Sequence, residues 1–199
     1  MNFLFGIRPD PPHETRVSRR RNIVAVSAIS FVVSICASGI ACGQAPRLIA
    51  PNVVEISPRL VTSGQPSAEA LAGLKALAFD AVIYLASPTV PDAVRDEQII
   101  VTRQGLTFVN IPIKFENPTE ADFEMFASVL AGLGTRKVLV HCQINLRASV
   151  MVFLYRVINL KEEPRVAYES VAGVWSPDGR CRRLIEDQLR KHKVAFEPY

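Results

Sequence analysis

Short apolar segments alternate with helical patterns along residues 53–199 of the chain. The segments at 81–86 and 137–141 are typical of strands that are covered on both faces. Strands that alternate with helices form parallel sheets, because each helix carries the chain back across one face. The pattern therefore predicts an α/β fold, with a mostly parallel central sheet flanked by helices in a single domain.

Capping residues and helix breakers set the element boundaries. Ser67 is a good N-cap, Pro91 suits the first turn of a helix, and Gly105 suits its end. The predicted strands cover 53–56, 59–62, 81–86, 106–113 and 137–141. The predicted helices cover 67–78, 91–104, 120–133, 148–160 and two segments that begin at Pro164 and Pro177.

The first 43 residues differ in composition from the rest of the chain. Three arginines at 19–21 precede an uncharged run at 23–43 that ends in small residues. That order is typical of a secretory signal peptide, although about 20 apolar residues can also remain as a membrane anchor. In either case the arginines stay inside, so we expect an exported protein, periplasmic or secreted, with no other membrane contact. The predicted linker is 44–52 and the predicted catalytic domain is 53–199.

The net charge of +4 is concentrated in this leader. Residues 1–22 carry +3, which leaves +1 for the rest of the chain. Nucleic-acid binding needs clustered Lys and Arg on one face, and no such stripe follows Gln44. We therefore expect no nucleic-acid partner.

Two of the four cysteines, Cys142 and Cys181, lie outside the leader. Cys181 follows Arg180 and precedes two more arginines, so we expect an exposed thiol. It is either an incidental surface thiol or, because the arginines favour the thiolate, one that could react or pair with Cys142. The three histidines are scattered and no paired cysteine spacing occurs, so the sequence predicts no metal site and no cofactor.

The segment HCQINLRAS, residues 141–149, joins the last predicted strand to the fourth helix. Backbone N–H groups of such a loop and of the first helical turn lack carbonyl partners, so they form a cup that attracts an anion. Arg147 adds a planar guanidinium that can hold two oxygens. Cys142 lies at the floor of the cup, where a stabilised thiolate faces the bound oxyanion as a nucleophile.

The rest of the loop is predicted to bind the substrate. Asn145 is expected to adopt a positive φ, because a loop this tight needs one and Asn tolerates it best among non-glycine residues. The predicted substrate-binding set comprises His141, Gln143, Ile144, Asn145, Leu146, Ala148 and Ser149.

This loop resembles the active-site loop of the protein tyrosine phosphatase superfamily. The segments SGQP at 63–66, FVNIP at 108–112, NPTEADF at 117–123 and VLVHCQINLRAS at 138–149 resemble bacterial tyrosine-phosphatase-like proteins related to the phosphatase-like domain of beta-lactamase hydrolase-like proteins. The resemblance covers about residues 53–175. It implies a fold of the dual-specificity phosphatase type, with Cys142 as nucleophile and Arg147 as phosphate ligand.

Four residues separate Cys142 from Arg147, one fewer than in the phosphatase pattern. This shorter spacing resembles that of rhodanese-type sulfurtransferases, in which a persulfide sulfur occupies the cup. The first hypothesis is therefore hydrolysis of a phosphorylated protein or small molecule, of tyrosine or dual-specificity type, through a thiophosphate on Cys142. The alternatives are sulfur transfer through a Cys142 persulfide and non-catalytic binding of an oxyanion.

Phosphate monoester cleavage also calls for an acid that protonates the leaving oxygen. Resembling proteins carry an Asp where this chain has Lys114, so the nearest carboxylates, Glu116 and then Asp122, are the candidates. Asp122 also fits a capping box with Thr119, which would be a structural role. His141 is expected to hold the loop and to help stabilise the thiolate, or to be satisfied by the backbone. Ser149 is expected to donate to the thiolate or only to begin a helix.

Overall fold

The computed structural model describes residues 47–199 and confirms the α/β fold. The strands in this part of the chain are β1 (Val54–Ser57), β2 (Leu60–Ser63), β3 (Ala81–Tyr84), β4 (Thr107–Asn110) and β5 (Val138–His141). The helices are α1 (Ala68–Ala72), α2 (Glu97–Thr102), α3 (Glu120–Gly132), α4 (Leu146–Ile158), α5 (Pro164–Ala172) and α6 (Gly179–Lys191). The predicted leader and the start of the predicted linker lie outside the described residues. Among residues 47–199, no helix is long and apolar enough to cross a bilayer.

The strands form one sheet in the order β1-β2-β5-β3-β4. Only β1 is antiparallel to its neighbour, and the other pairs are parallel. His141 at the end of β5 lies opposite Ser63 of β2 and Tyr84 of β3. Because parallel strands end at the same edge of a sheet, the segments that follow these three residues meet there.

The core lies around β3, β5 and α4. Every residue of β3 and β5 is buried, and so is every residue of α4 except Leu146 and Tyr155. Full burial of a Val, Leu or Phe side chain stabilises a fold by roughly 1.5–3 kcal/mol. The nearly all-apolar α4 is therefore firmly packed, and this packing holds its N-terminus at the edge of the sheet.

Several helix boundaries differ from the prediction. Residues 88–96 form turns and bends, and α2 begins only at Glu97, because Pro88 and Pro91 remove N–H donors from this stretch. A run of turns follows Gly73, so α1 is shorter than predicted. Conversely, α4 begins at Leu146, two residues earlier than predicted.

Candidate active site around Cys142

The loop between β5 and α4 is held in its turn by Asn145. This residue has φ 73°, which confirms the predicted left-handed conformation. Its buried side chain donates from Nδ2 to the carbonyl of Asn52 over 2.6 Å and to Thr62 Oγ1 over 3.0 Å. The left-handed conformation costs an ordinary L-residue roughly 1–2 kcal/mol, and these two hydrogen bonds help to offset it.

The segment that carries the SGQP motif supports the loop from outside. The backbone N–H of Gln65 donates to the carbonyl of Gln143 over 2.9 Å, and Asn52 Nδ2 donates to the carbonyl of Ile144 over 3.0 Å. A Cβ atom on Gly64 would lie 2.8 Å from that same Gln143 oxygen. Glycine at this position therefore allows the two segments to approach closely.

Cys142 lines a cavity of about 200 Å³ at the end of β5. Its side chain is 1% exposed and its thiol is free. The first hydrogen bond of α4 runs from the N–H of Ser149 to the carbonyl of Asn145, so the N–H groups of residues 146–148 precede the helical ladder. The other residues that line the cavity are Asp92, Phe115, Glu116, Gln143, Ile144, Leu146 and Arg147.

Arg147 is fixed beside Cys142 and does not extend into solvent. It is 6% exposed; its Nη1 donates to the carbonyl of Ile113 over 2.8 Å, and its Nη2 donates to Gln143 Oε1 over 2.7 Å. Its Nε is buried without a partner among the described residues. Two of the guanidinium N–H groups are therefore used to orient the side chain, and the others are left for an oxyanion.

Gln143 connects Arg147 to Asp92. Its Nε2 donates to Asp92 Oδ1 over 2.8 Å, while its Oε1 accepts the hydrogen bond from Arg147. The side chain of this predicted substrate-binding residue is thus engaged with protein groups on both sides.

His141 is bound by a carboxylate and not by the backbone. Its Nε2 lies 2.6 Å from Glu97 Oε1, and Glu97 Oε2 accepts a 2.8 Å hydrogen bond from Gln65 Nε2. Tyr84 stacks on the imidazole with ring centroids 4.7 Å apart. Burial, followed by the charges of Glu97 and Asp92, raises the pKa of Tyr84 well above its usual range. His141, the residue that precedes Cys142, is therefore in contact with the buried carboxylate of Glu97 and with the ring of Tyr84.

The two predicted acid candidates lie in different surroundings. Glu116 is exposed and lines the cavity that contains Cys142. Asp122 completes the capping box of α3: its Oδ2 accepts from the N–H of Thr119 over 2.8 Å, and its N–H donates to Thr119 Oγ1 over 3.2 Å. Asp122 is absent from the lining of that cavity.

Ser149 begins α4 and binds an aromatic residue. Its hydroxyl donates to the carbonyl of Leu146 over 3.0 Å and accepts from Trp175 Nε1 over 3.3 Å. Because a hydroxyl has a single proton, this arrangement leaves none for the thiolate. Ala148, next to it, is fully buried and contributes its backbone to the first turn.

The prediction of an exposed, thiolate-favouring Cys181 is wrong. The side chain is 4% exposed, and burial raises the pKa of its thiol to about 11. Cys181 lies on the buried face of α6 with Leu184 and Ile185, whereas Arg180 and Arg183 are exposed. The neighbouring arginines in the sequence are therefore on a different face of the helix.

Sequence reasoning did not assign Asp92 and Glu97 to the site. Both lie near the start of the predicted helix at 91–104, whereas the structure puts Asp92 in the β3–α2 loop and Glu97 against His141. The signal that could have found them is topological: the segment after β3 begins at the same sheet edge as the Cys142 loop.

Comparison with known proteins agrees with this architecture. Residues 52–178 match the family model described as "DSP-PTPase phosphatase fused to NAD+ Kinase". Beta-lactamase hydrolase-like protein from Xylella fastidiosa is 32% identical over 114 residues, which are 54% of this chain and 26% of that protein. The aligned part thus spans about a quarter of the length of this relative.

Solved structures show the same fold. A Shewanella putrefaciens protein named "Putative phosphatase (DUF442)" superposes with a TM-score of 0.66 at 28% identity, over 72% of this chain and 92% of that chain. Pseudomonas aeruginosa TpbA superposes with a TM-score of 0.55 at 20% identity, over 72% of this chain and 86% of that chain. These findings confirm the resemblance that the motifs indicated.

Proposed function

The chain belongs to the DSP-PTPase family of cysteine phosphatases, and from this premise we propose that it hydrolyses phosphate monoesters through a thiophosphate intermediate on Cys142. The observation that carries the proposal is the placement of Cys142 and a fixed, buried Arg147 around one cavity at the N-terminus of α4. A helix N-terminus and a guanidinium both attract a phosphoryl group.

In the proposed reaction the Cys142 thiolate attacks phosphorus and the bond to the leaving oxygen breaks. An acid gives that oxygen a proton, so the product is a neutral alcohol. Water then attacks the phosphorus and gives a proton to the carboxylate that the first step left, the sulfur–phosphorus bond breaks, and inorganic phosphate and the thiolate are released. Throughout, Arg147 and the N–H groups of residues 146–148 hold the non-reacting oxygens.

We assign the proton donor to Glu116, which lines the cavity. Asp92 lines the same cavity from the β3–α2 loop, but its Oδ1 already accepts a hydrogen bond from Gln143, which stabilises the ionised form. Asp122 is used in the cap of α3. Glu116 has no such bond to another of the described residues and is therefore the better donor.

The rim of the cavity favours a substrate with an apolar leaving group. Ile144 is 51% exposed and Phe115 is 36% exposed, and both line the cavity beside Cys142. An aromatic alcohol such as a tyrosine side chain can pack against these residues. We therefore propose a phosphatase of tyrosine or dual-specificity type that acts on a phosphorylated protein or small molecule.

Sulfur transfer is the second candidate, and the spacing of Cys142 and Arg147 favours it. With four residues between them, the loop forms a smaller cup, and Arg147 is already bound to Ile113 and Gln143. A persulfide sulfur on Cys142 needs less room than a phosphoryl group. Binding of an oxyanion without catalysis is the remaining alternative, supported by Lys114 at the position where resembling proteins have an acid.

Two assays on one preparation of the full chain decide between these functions. The proposal predicts release of phosphate from p-nitrophenyl phosphate, complete loss with Cys142→Ser, and retention with Cys181→Ala, which removes a buried thiol that does not line the cavity. Transfer of sulfur from thiosulfate to cyanide without phosphate release would instead support the second candidate. Measurable phosphate binding with neither activity would leave only an oxyanion-binding module.

We also propose that the protein acts outside the cytoplasm, on the basis of the leader at residues 1–43. A fusion of the full chain to alkaline phosphatase, which is active only after export, tests this proposal. Replacing the arginines at 19–21 with glutamates should abolish the reporter activity. Equal activity of the two fusions would contradict export through this segment.

A further inference from the structure

Glu97 is a buried carboxylate in the core of the site. It is 4% exposed, and each of its oxygens accepts one hydrogen bond, from His141 Nε2 and from Gln65 Nε2. An unpaired buried carboxylate costs several kcal/mol, so such a group is normally protonated or paired with a cation. Whether His141 is charged therefore matters for the stability of the fold and also for the chemistry of the site.

The surroundings favour a protonated His141. Gln65 is neutral, so within residues 47–199 His141 is the hydrogen-bond partner of Glu97 that can carry a positive charge. The distance of 2.6 Å between His141 Nε2 and Glu97 Oε1 is slightly below the range of about 2.7–2.9 Å for charge-assisted N–H···O bonds, and it is shorter than an ordinary neutral bond. The ring of Tyr84 stacks 4.7 Å from the imidazole, within the range over which an aromatic face stabilises a cation.

We propose that Glu97 is a positioning residue that keeps His141 protonated, and that this imidazolium stabilises the thiolate of Cys142. His141 directly precedes Cys142 in the chain, at the end of β5. Among the described residues no group donates a hydrogen bond to its buried Nδ1, so no donor there opposes a second proton on the ring. The inference rests on the proposed role of Cys142 as nucleophile, but it holds equally for phosphoryl and sulfur transfer.

The direction in which Glu97→Gln changes thiolate formation distinguishes a protonated His141 from a neutral one. If His141 is protonated, replacing Glu97 with glutamine removes the counter-ion, the imidazole becomes neutral and the thiolate loses a neighbouring cation. If His141 is neutral, the same change removes only a negative charge, and the thiolate forms more easily. Among the described residues, the other charged or ionisable groups that act on Tyr84, the stacking partner of His141, are Asp92, Arg147 and Cys142, and the Glu97→Gln change leaves all of them in place.

The experiment is the pH dependence of alkylation of Cys142 by iodoacetamide in the full chain, followed by mass measurement of the tryptic peptide 138–147. In Glu97→Gln we expect the pH of half-maximal rate to rise measurably, because the charge lost from the residue next to Cys142 is the positive one. The matched control is Ser63→Ala, which removes a buried neutral hydrogen bond to the carbonyl of Gly64 beside the same strand end. Its profile should coincide with that of the unchanged protein.

An unchanged profile in Glu97→Gln, or one displaced to lower pH, overturns the inference. A second measurement requires no variant: nitrogen NMR of the unchanged protein at pH 7 should show protons on both ring nitrogens of His141, and a neutral ring overturns the inference as well. Neither measurement uses turnover. A protein without phosphatase activity but with the expected shift would therefore contradict the proposed function and leave this inference intact.

Discussion

Gln143 Oε1 accepts a 2.7 Å hydrogen bond from Arg147 Nη2, so the loop that carries the nucleophile also orients the guanidinium beside it. The other end of the same side chain binds Asp92 over 2.8 Å. Because an amide offers both an acceptor and a donor, glutamine can join a cation to an anion without carrying charge itself. Neither Glu nor Met can make this pair of bonds.

Replacing Gln143 with Glu should weaken binding of an oxyanion. The new carboxylate would pair with Arg147 and place a negative charge beside the anion, so we expect the affinity for tungstate to fall about tenfold or more. Titration calorimetry on the full chain measures this. Gln143→Met is the matched control, since it removes the hydrogen bonds and adds no charge. Equal losses in the two variants would mean that charge is not the cause.

The role assigned to Glu116 predicts an effect that depends on the leaving group. Glu116→Gln should reduce kcat for phenyl phosphate by about 10²-fold, because phenolate leaves poorly without a proton. The same variant should lose much less activity on p-nitrophenyl phosphate, whose leaving group needs no proton. Asp92→Asn is the comparison, and a leaving-group dependence in that variant alone would move the acid to Asp92.

The capping role of Asp122 predicts a loss of stability and not of activity. Asp122→Ala should lower the free energy of unfolding by about 0.5–2 kcal/mol, the usual cost of losing an N-terminal cap. Urea denaturation measures the loss, and Thr119→Ala, which removes the other half of the box, should give a similar value. A drop of 10²-fold in kcat of folded Asp122→Ala would show that Asp122 is the acid after all.

The parallel sheet and the local geometry of the loop were predictable from the sequence, because each follows from nearby residues. Alternating apolar and helical segments imply the sheet, and the position of Asn145 in a tight strand-to-helix loop implies its positive φ, which is 73°. Ser67 and Thr119 act as N-caps as expected. These features depend on few residues and on backbone conformation.

The contacts behind the loop were not predictable in the same way. Glu97 and His141 are 44 positions apart, and acidic residues near a helix start have an ordinary explanation in the helix dipole. Likewise, the burial of Cys181 depends on which face of α6 packs inward. The flanking arginines in the sequence suggested an exposed position instead. Long-range pairing of polar groups requires the register of the sheet, which sequence patterning alone does not supply.

The burial of Cys181 makes stability depend on pH in the alkaline range. The pKa of its thiol rises from 9.0 to about 11 on folding, so the folded state holds the proton more tightly than the unfolded state. The stabilisation is fully present below pH 9.0 and is lost as pH rises towards about 11. Cys181→Ala lacks this contribution. Its melting temperature should therefore lie below that of the unchanged protein by a constant amount below pH 9.0, and by a smaller amount above that pH.

Differential scanning calorimetry of both proteins across this range measures the deficit. Burial also raises the pKa of Tyr84 and of Tyr168, but both proteins keep these residues, so their contributions cancel in the difference. An exposed thiol would have the same pKa folded and unfolded, and the deficit would then not change with pH. A constant deficit up to pH 11 would thus contradict the burial of Cys181, and with it the inward orientation of this face of α6.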